Sequence, residues 1–189
     1  AALLLPGCGS SKSADASSVD FSPFQGIYRI DSHTLNSSAC DVEGTPVAGS
    51  PPMLVIFSFF EIKNGRVATA ISCSNAVYCR DIGTSQRPVP LRVGDFWAHF
   101  LQVTADGLTG SEITTCCTGV SGQTTCQEAG GWEFNLVKNG STIRIESREL
   151  AATYTVAPDA SCSSEPTART LAGTCSSLRV VNATFQEAL

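Results

Sequence analysis

Three times in this chain a short turn dipeptide ending in glycine separates two runs of apolar, β-branched or aromatic residues: Asn64-Gly65, Asp106-Gly107 and Asn139-Gly140. Asn, Asp and Gly tolerate the positive φ that a two-residue hairpin turn demands. Placed between hydrophobic runs, such a dipeptide is the strongest short-range signal for an antiparallel strand pair. The paired runs are residues 53–62 with 66–72, 95–104 with 108–115, and 132–137 with 141–148. The third pair alternates most cleanly, with Trp132, Phe134, Leu136, Ile143 and Ile145 against Glu133, Asn135, Arg144 and Glu146, so one face is buried and the other is wet. Further strands are expected at 24–30, 153–156 and 178–185, with Tyr28 and Ile30 on one face of the first and Arg29 and Asp31 on the other. The expectation is an all-β, antiparallel meander of about eight strands that removes its edges by closing into a barrel. A two-sheet sandwich is the alternative. No segment of useful length shows helical periodicity, residues 185–189 being the one stretch that could be helical.

The run Met53-Leu54-Val55-Ile56-Phe57-Ser58-Phe59-Phe60 is apolar on both strand faces, unlike its one-sided neighbours. A second layer over the outer face is the commoner cause. The other is a strand lining an interior. On that second reading Phe57, Phe59, Trp97 and His99 are the candidate ligand-lining residues, and a small apolar ligand is the natural occupant.

Nine cysteines are present, an odd number. If Cys8 is set apart, Cys40, Cys73, Cys79, Cys116, Cys117, Cys126, Cys162 and Cys175 can form four bridges. Neither a redox Cys-x-x-Cys nor the paired spacing of a zinc site occurs, so no metal or cofactor is expected. Such a cysteine content suits an exported, oxidised protein. Cys73 with Cys79 and Cys162 with Cys175 bracket short loops and are expected as local pairs. Vicinal Cys116 and Cys117 point to opposite strand faces and are expected to take different partners, one near Cys126 and the other at a distant strand or around Cys40.

Cys8 closes the run Leu3-Leu4-Leu5-Pro6-Gly7-Cys8 and leads into the polar stretch Gly9-Ser10-Ser11-Lys12-Ser13. This arrangement resembles the end of a bacterial lipoprotein signal peptide, in which a Leu, two small residues and a Cys mark the acylation site. The resemblance implies that residues 1–7 are the remnant of a signal peptide, that acylated Cys8 becomes the mature N-terminus, and that residues 8–20 form a tether to a single β domain over 21–189. Gly9 in place of Asp is similar to the pattern of lipoproteins sent to the outer membrane. A second resemblance lies in Gly26-x-Tyr28, which looks like the Gly-x-Trp opening the first strand of lipocalins, and it implies an eight-stranded up-and-down barrel with a ligand in its mouth.

A net charge of −5 without clustered Lys or Arg argues against nucleic-acid partners. Catalytic supply is thin. His33 and His99 are the only histidines, Asp31-Ser32-His33 are sequence neighbours where triad members converge from separate segments, and Glu133 and Glu146 sit at polar alternation positions. No nucleophile elbow, zinc-helix or phosphate-loop motif occurs. The expected function is therefore non-enzymatic: a lipid-anchored envelope module that binds a small hydrophobic ligand. The alternative is a surface module that contacts another envelope protein through its long loops, residues 40–52 and 77–93. A hydrolase ranks last.

Overall fold

The computed structural model describes residues 19–61, 65–85, 95–113, 116–120, 123–127, 130–155 and 168–189. A 3-10 turn at Ser22–Phe24 leads into β1 (Gly26–Asn36), followed by β2 (Thr45–Pro46), β3 (Met53–Glu61) and β4 (Gly65–Cys73). Next come α1 (Ala76–Ser85), β5 (Trp97–Phe100), β6 (Gln102–Val103) and β7 (Gly107–Ile113). A small hairpin, β8 (Cys116–Val120) and β9 (Gln123–Gln127), precedes β10 (Gly130–Asn139), β11 (Thr142–Thr155) and β12 (Ala168–Glu187).

All pairings are antiparallel, and the main sheet runs β5-β4-β3-β1-β12-β11-β10-β7-β6. Its two ends are successive pieces of one strand, because β5 pairs with β4 while β6, two residues on, pairs with β7. The Leu101 N–H bonds the Thr109 carbonyl at 2.9 Å between them. The sheet thereby comes round on itself as a barrel of eight staves, β5 and β6 counting as one and β2 being an appendage of β1. Gly110 sits at this seam, where a Cβ would run into the His99 carbonyl, so the missing side chain lets the two edges meet.

The alternation read from the sequence sets the inside of the barrel. Tyr28, Leu54, Ile56, Ala68, Ala70, Ala98, Phe100, Phe134, Leu136, Ile143, Ile145, Val181 and Ala183 belong to one buried cluster. Small residues on β4, with Ala68 paired to Phe100 of β5, share the interior with large ones such as Phe134 on β10, a mixture of sizes that fills a barrel of this width. Residues 153–156 were expected as a separate strand, but 153–155 continue β11 and pair with β12 as far as Ala168.

One correction concerns helix content. The α1 helix lies on the outside of β3 and β4, burying Cys79, Ile82 and Gly83 at helical spacing against Val55, Phe57, Ile71 and Cys73. Asn75 starts it, its side-chain oxygen accepting the Tyr78 N–H at 2.9 Å as an N-cap does. Its covering layer explains why β3 is apolar on both faces.

Two disulfides tie the described residues. Cys73–Cys79 is the expected local pair, with Cα atoms 5.4 Å apart, and it fastens the start of α1 to the end of β4. Cys175 departs from the expected pairing with Cys162. Its partner is Cys40, at a Cα separation of 5.8 Å, because β12 runs antiparallel to β1 and brings Cys175 beside the connection that leaves β1. Cys117 and Cys126 are directly opposite in the β8–β9 register, with Cys116 opposite Gln127. Cys8 and Cys162 lie outside the described residues.

Candidate recess at one end of the barrel

The two ends of the barrel differ in construction. At the first end the chain plugs its own barrel: Phe21, just before the 3-10 turn, and Phe24, its last residue, join the interior cluster. The buried Tyr28 hydroxyl donates to the Phe24 carbonyl at 2.7 Å. Loss of water from around this phenol pushes its pKa up to about 12. Lys138 donates to the Pro23 carbonyl and lies 5.7 Å from the Phe24 ring centroid, adding a cation-π contact. Gln25 and Arg66 both donate to Ser58 Oγ, at 3.0 and 3.1 Å. The short turns gather here too, since the Lys138 N–H bonds the Asp106 carbonyl at 3.0 Å and so joins the β10–β11 turn to the β6–β7 turn.

At the opposite end, where the long connections leave, there is a recess of about 440 Å³. Trp97 from β5 and Trp132 from β10 form one wall, their ring centroids 5.8 Å apart and their planes at 62°. Trp97 also packs on Phe134 at 5.2 Å, so the indole pair roofs the interior cluster. Glu149 on β11 and Arg179 on β12 face the recess, with Ser147 and Ser177 beside them. These polar groups are held in place. Ser177 Oγ donates to Glu149 Oε2 at 2.9 Å, and Arg179 Nη1 donates to the Asp95 carbonyl at 2.9 Å. The Cys40–Cys175 bridge pins the neighbouring connection two residues from Ser177.

Below the Leu35–Arg179 register pair lies the His33–Val181 pair. His33 is 5% exposed, its ring edge-on to Phe96 at 5.7 Å. Its Nδ1 shares a hydrogen bond of 2.7 Å with Ser50 Oγ, while Nε2 has no partner among the described residues. Burial, aided by the Arg179 charge, pulls the imidazole down to about 4. A serine bonded to a histidine is one part of a nucleophilic site, and among the described residues no carboxylate is bonded to this imidazole. Asp31 and Ser32 are engaged elsewhere: Asp31 accepts from Thr184 at 2.6 Å and from Arg29, and Ser32 accepts from Asn182 at 2.8 Å. The Thr184 hydroxyl, ahead of Arg29, holds the Asp31 carboxyl below its usual range.

The four ligand-lining candidates do not converge. Trp97 lines the recess. Phe57 is buried in the outer cluster under α1, and Phe59 packs on that cluster, 5.9 Å from the His99 ring. On the outer face, His99 Nδ1 stands 3.9 Å from Glu112 Oε2. Ladder register gives all four the same outward parity, because Ala68, Ala70, Ala98 and Phe100 carry the other face into the interior; Trp97, the first residue of β5, parts from the rest by packing on Trp132 and Phe134. Arg179 is not singled out in the sequence; Trp132 reads there only as a residue of the buried face and Glu149 only as one of the carboxylates available for a paired-acid site, neither as ligand-lining. Alternation alone puts Trp132, Ser147 and Glu149 on the inward side, so strand parity was the signal that could have found them.

A shallow outer groove of about 460 Å³ runs over β7, β10 and β11 beside Glu133, Asn135, Glu146 and Arg148. Glu146 is held there between Arg144 at 3.1 Å and Arg148 at 2.9 Å, and Arg144 also reaches Glu43 at 2.5 Å. These ion pairs engage Glu146 on the wet face of the sheet, one of the carboxylates available for paired-acid hydrolysis, while Asp95 and Glu149 line the recess. No protein-family model matches this chain, and neither a curated protein nor a solved structure resembles it significantly.

Proposed function

We propose that the protein is an exported envelope module, held to a bacterial membrane by lipid on Cys8, that binds a small ligand with an apolar edge in the Trp97–Trp132 recess. The observation that carries this reading is the polarity of the barrel: one end is filled by Phe21 and Phe24, and the other keeps a recess with fixed polar groups. Preformed recesses that combine aromatic walls with a few placed polar groups are the usual form of small-ligand sites. Val19 and Asp20 enter at the plugged end, next to Phe21. On this reading the anchored segment reaches the barrel at its plugged end, the end opposite the recess. The interior is filled with side chains, so the reading puts the ligand at the mouth and not deep in the barrel.

The chain has two tryptophans and both line the recess, so their emission reports on this site alone. Titration with 1-anilinonaphthalene-8-sulfonate, which pairs an aromatic body with one anionic group, is expected to give saturable energy transfer from the indoles at one dye per chain. Absence of saturable transfer from the folded protein refutes the binding reading.

A second reading, contact with another envelope protein, is favoured by the exposed Val42 on the β1–β2 connection and the exposed Val77 and Tyr78 in the first turn of α1, where the expected loop 77–93 is in fact helical up to Ser85. It predicts that Val77→Ser with Tyr78→Ser removes a discrete cross-linked adduct formed in intact cells.

A further inference from the structure

We propose that the occupant of the recess is a saccharide, an inference that rests on the recess being a binding site. An acyl chain needs a long apolar slot, but beneath the indole pair Phe96, Phe100 and Phe134 already fill the interior. A compact anion meets the Glu149 carboxylate and the Asp95 carbonyl beside Arg179, and a compact cation meets the Arg179 guanidinium. An aromatic cage for an ammonium group needs a gap between rings. Trp97 and Trp132 touch edge to face at 5.8 Å and leave none.

The ligand that remains has an apolar face and a rim of hydroxyls that both donate and accept, which describes a pyranose ring. Its C–H face packs on an indole wall, as apolar surface leaving water favours. Its hydroxyls find an acceptor in Glu149, a donor in Arg179, and groups of both kinds in Ser37, Ser147 and Ser177. Glu149 and Arg179 are fixed beforehand by Ser177 and by the Asp95 carbonyl, so little side-chain freedom is lost when the sugar arrives. A volume of about 440 Å³ suits a short saccharide. The same ring chemistry is offered by N-acetylated glycan of a cell wall and by neutral glucans, and the experiment separates them.

The folded protein is titrated with an N-acetylglucosamine tetramer and, separately, with maltotetraose, reading tryptophan emission and displacement of bound 1-anilinonaphthalene-8-sulfonate. The expected result is saturable binding of one of the two, with at least tenfold weaker binding in Trp132→Ala and in Glu149→Gln. The second variant keeps the side-chain volume and guards against a mere folding defect. Response to the tetramer alone assigns the ligand to N-acetylated glycans, and response to maltotetraose alone to neutral glucans. Dye binding that neither sugar displaces at up to about 10 mM overturns the saccharide assignment and leaves the site standing. Failure of both dye and sugars overturns the two together.

Discussion

Acid should weaken this protein through one side chain. In the folded state burial and the Arg179 charge lower the His33 pKa from 6.5 to about 4. The unfolded chain therefore takes up a proton near pH 6.5 that the folded chain refuses until about pH 4. Since the unfolded state binds more protons across this window, stability falls as pH drops through it and levels out below it. A separation of about 2.5 units at ~1.36 kcal/mol each amounts to about 3 kcal/mol, a large share of a typical domain's stability. The perturbation that isolates it is His33→Asn, which does not titrate and leaves Ser50 an amide partner near the place of Nδ1. Urea unfolding of both proteins from pH 7 to pH 4 should give a wild-type curve that loses about 3 kcal/mol more than the variant. Asp31 does not blur the comparison, since its lowered pKa removes stability only as pH falls below the ordinary carboxylate range, and it is common to both proteins. Parallel curves would refute this account of His33.

Tyr28→Phe leaves the Phe24 carbonyl buried without its donor and should cost about 1–3 kcal/mol in denaturant unfolding. It should also abolish the alkaline loss of stability expected of the wild type above pH 10, where the unfolded chain ionises a phenol that the folded barrel keeps protonated to about 12. Removing Cys40–Cys175, which spans 135 residues, should destabilise more than removing Cys73–Cys79, which spans 6. The chain-entropy values are about 5 against about 2 kcal/mol, read from the melting of paired Cys→Ser variants. Gly110→Ala should lower the melting temperature by forcing the seam between β5 and β7 apart, whereas Phe60→Ser, at a side chain 72% exposed, should change stability by no more than ~0.5 kcal/mol.

Much of the barrel was legible because strand parity and turn chemistry are local. Gly65 and Gly140 adopt the positive φ that their turns require, at 75° and 59°. Asp106-Gly107 marks a turn for another reason, because Gly107 opens β7 pressed against the Leu136 carbonyl, where any Cβ would collide. Close approach there looks the same in sequence as a positive-φ turn. The α1 helix was missed since its buried face is narrow, just Cys79, Ile82 and Gly83, and its cysteine reads as a loop staple. The doubly apolar β3 hinted at its cover without naming it. The recess was legible only at Trp97. Its other members come from five separate segments, and nothing local in a sequence says which strand ends meet around a closed barrel. The pairing of Cys40 with Cys175 is a fact of the same order, set by β12 returning to β1 and not by spacing.

Intact mass of the protein extracted from membranes, after thiol alkylation without reduction, bears most directly on the claim that lipid on Cys8 holds a stapled barrel to the envelope. The expected spectrum shows the chain beginning at Cys8 with acyl groups added and no alkylated thiol among the other eight cysteines. A water-soluble protein with Cys8 unacylated, or alkylation at any of Cys40, Cys73, Cys79 and Cys175, would contradict it.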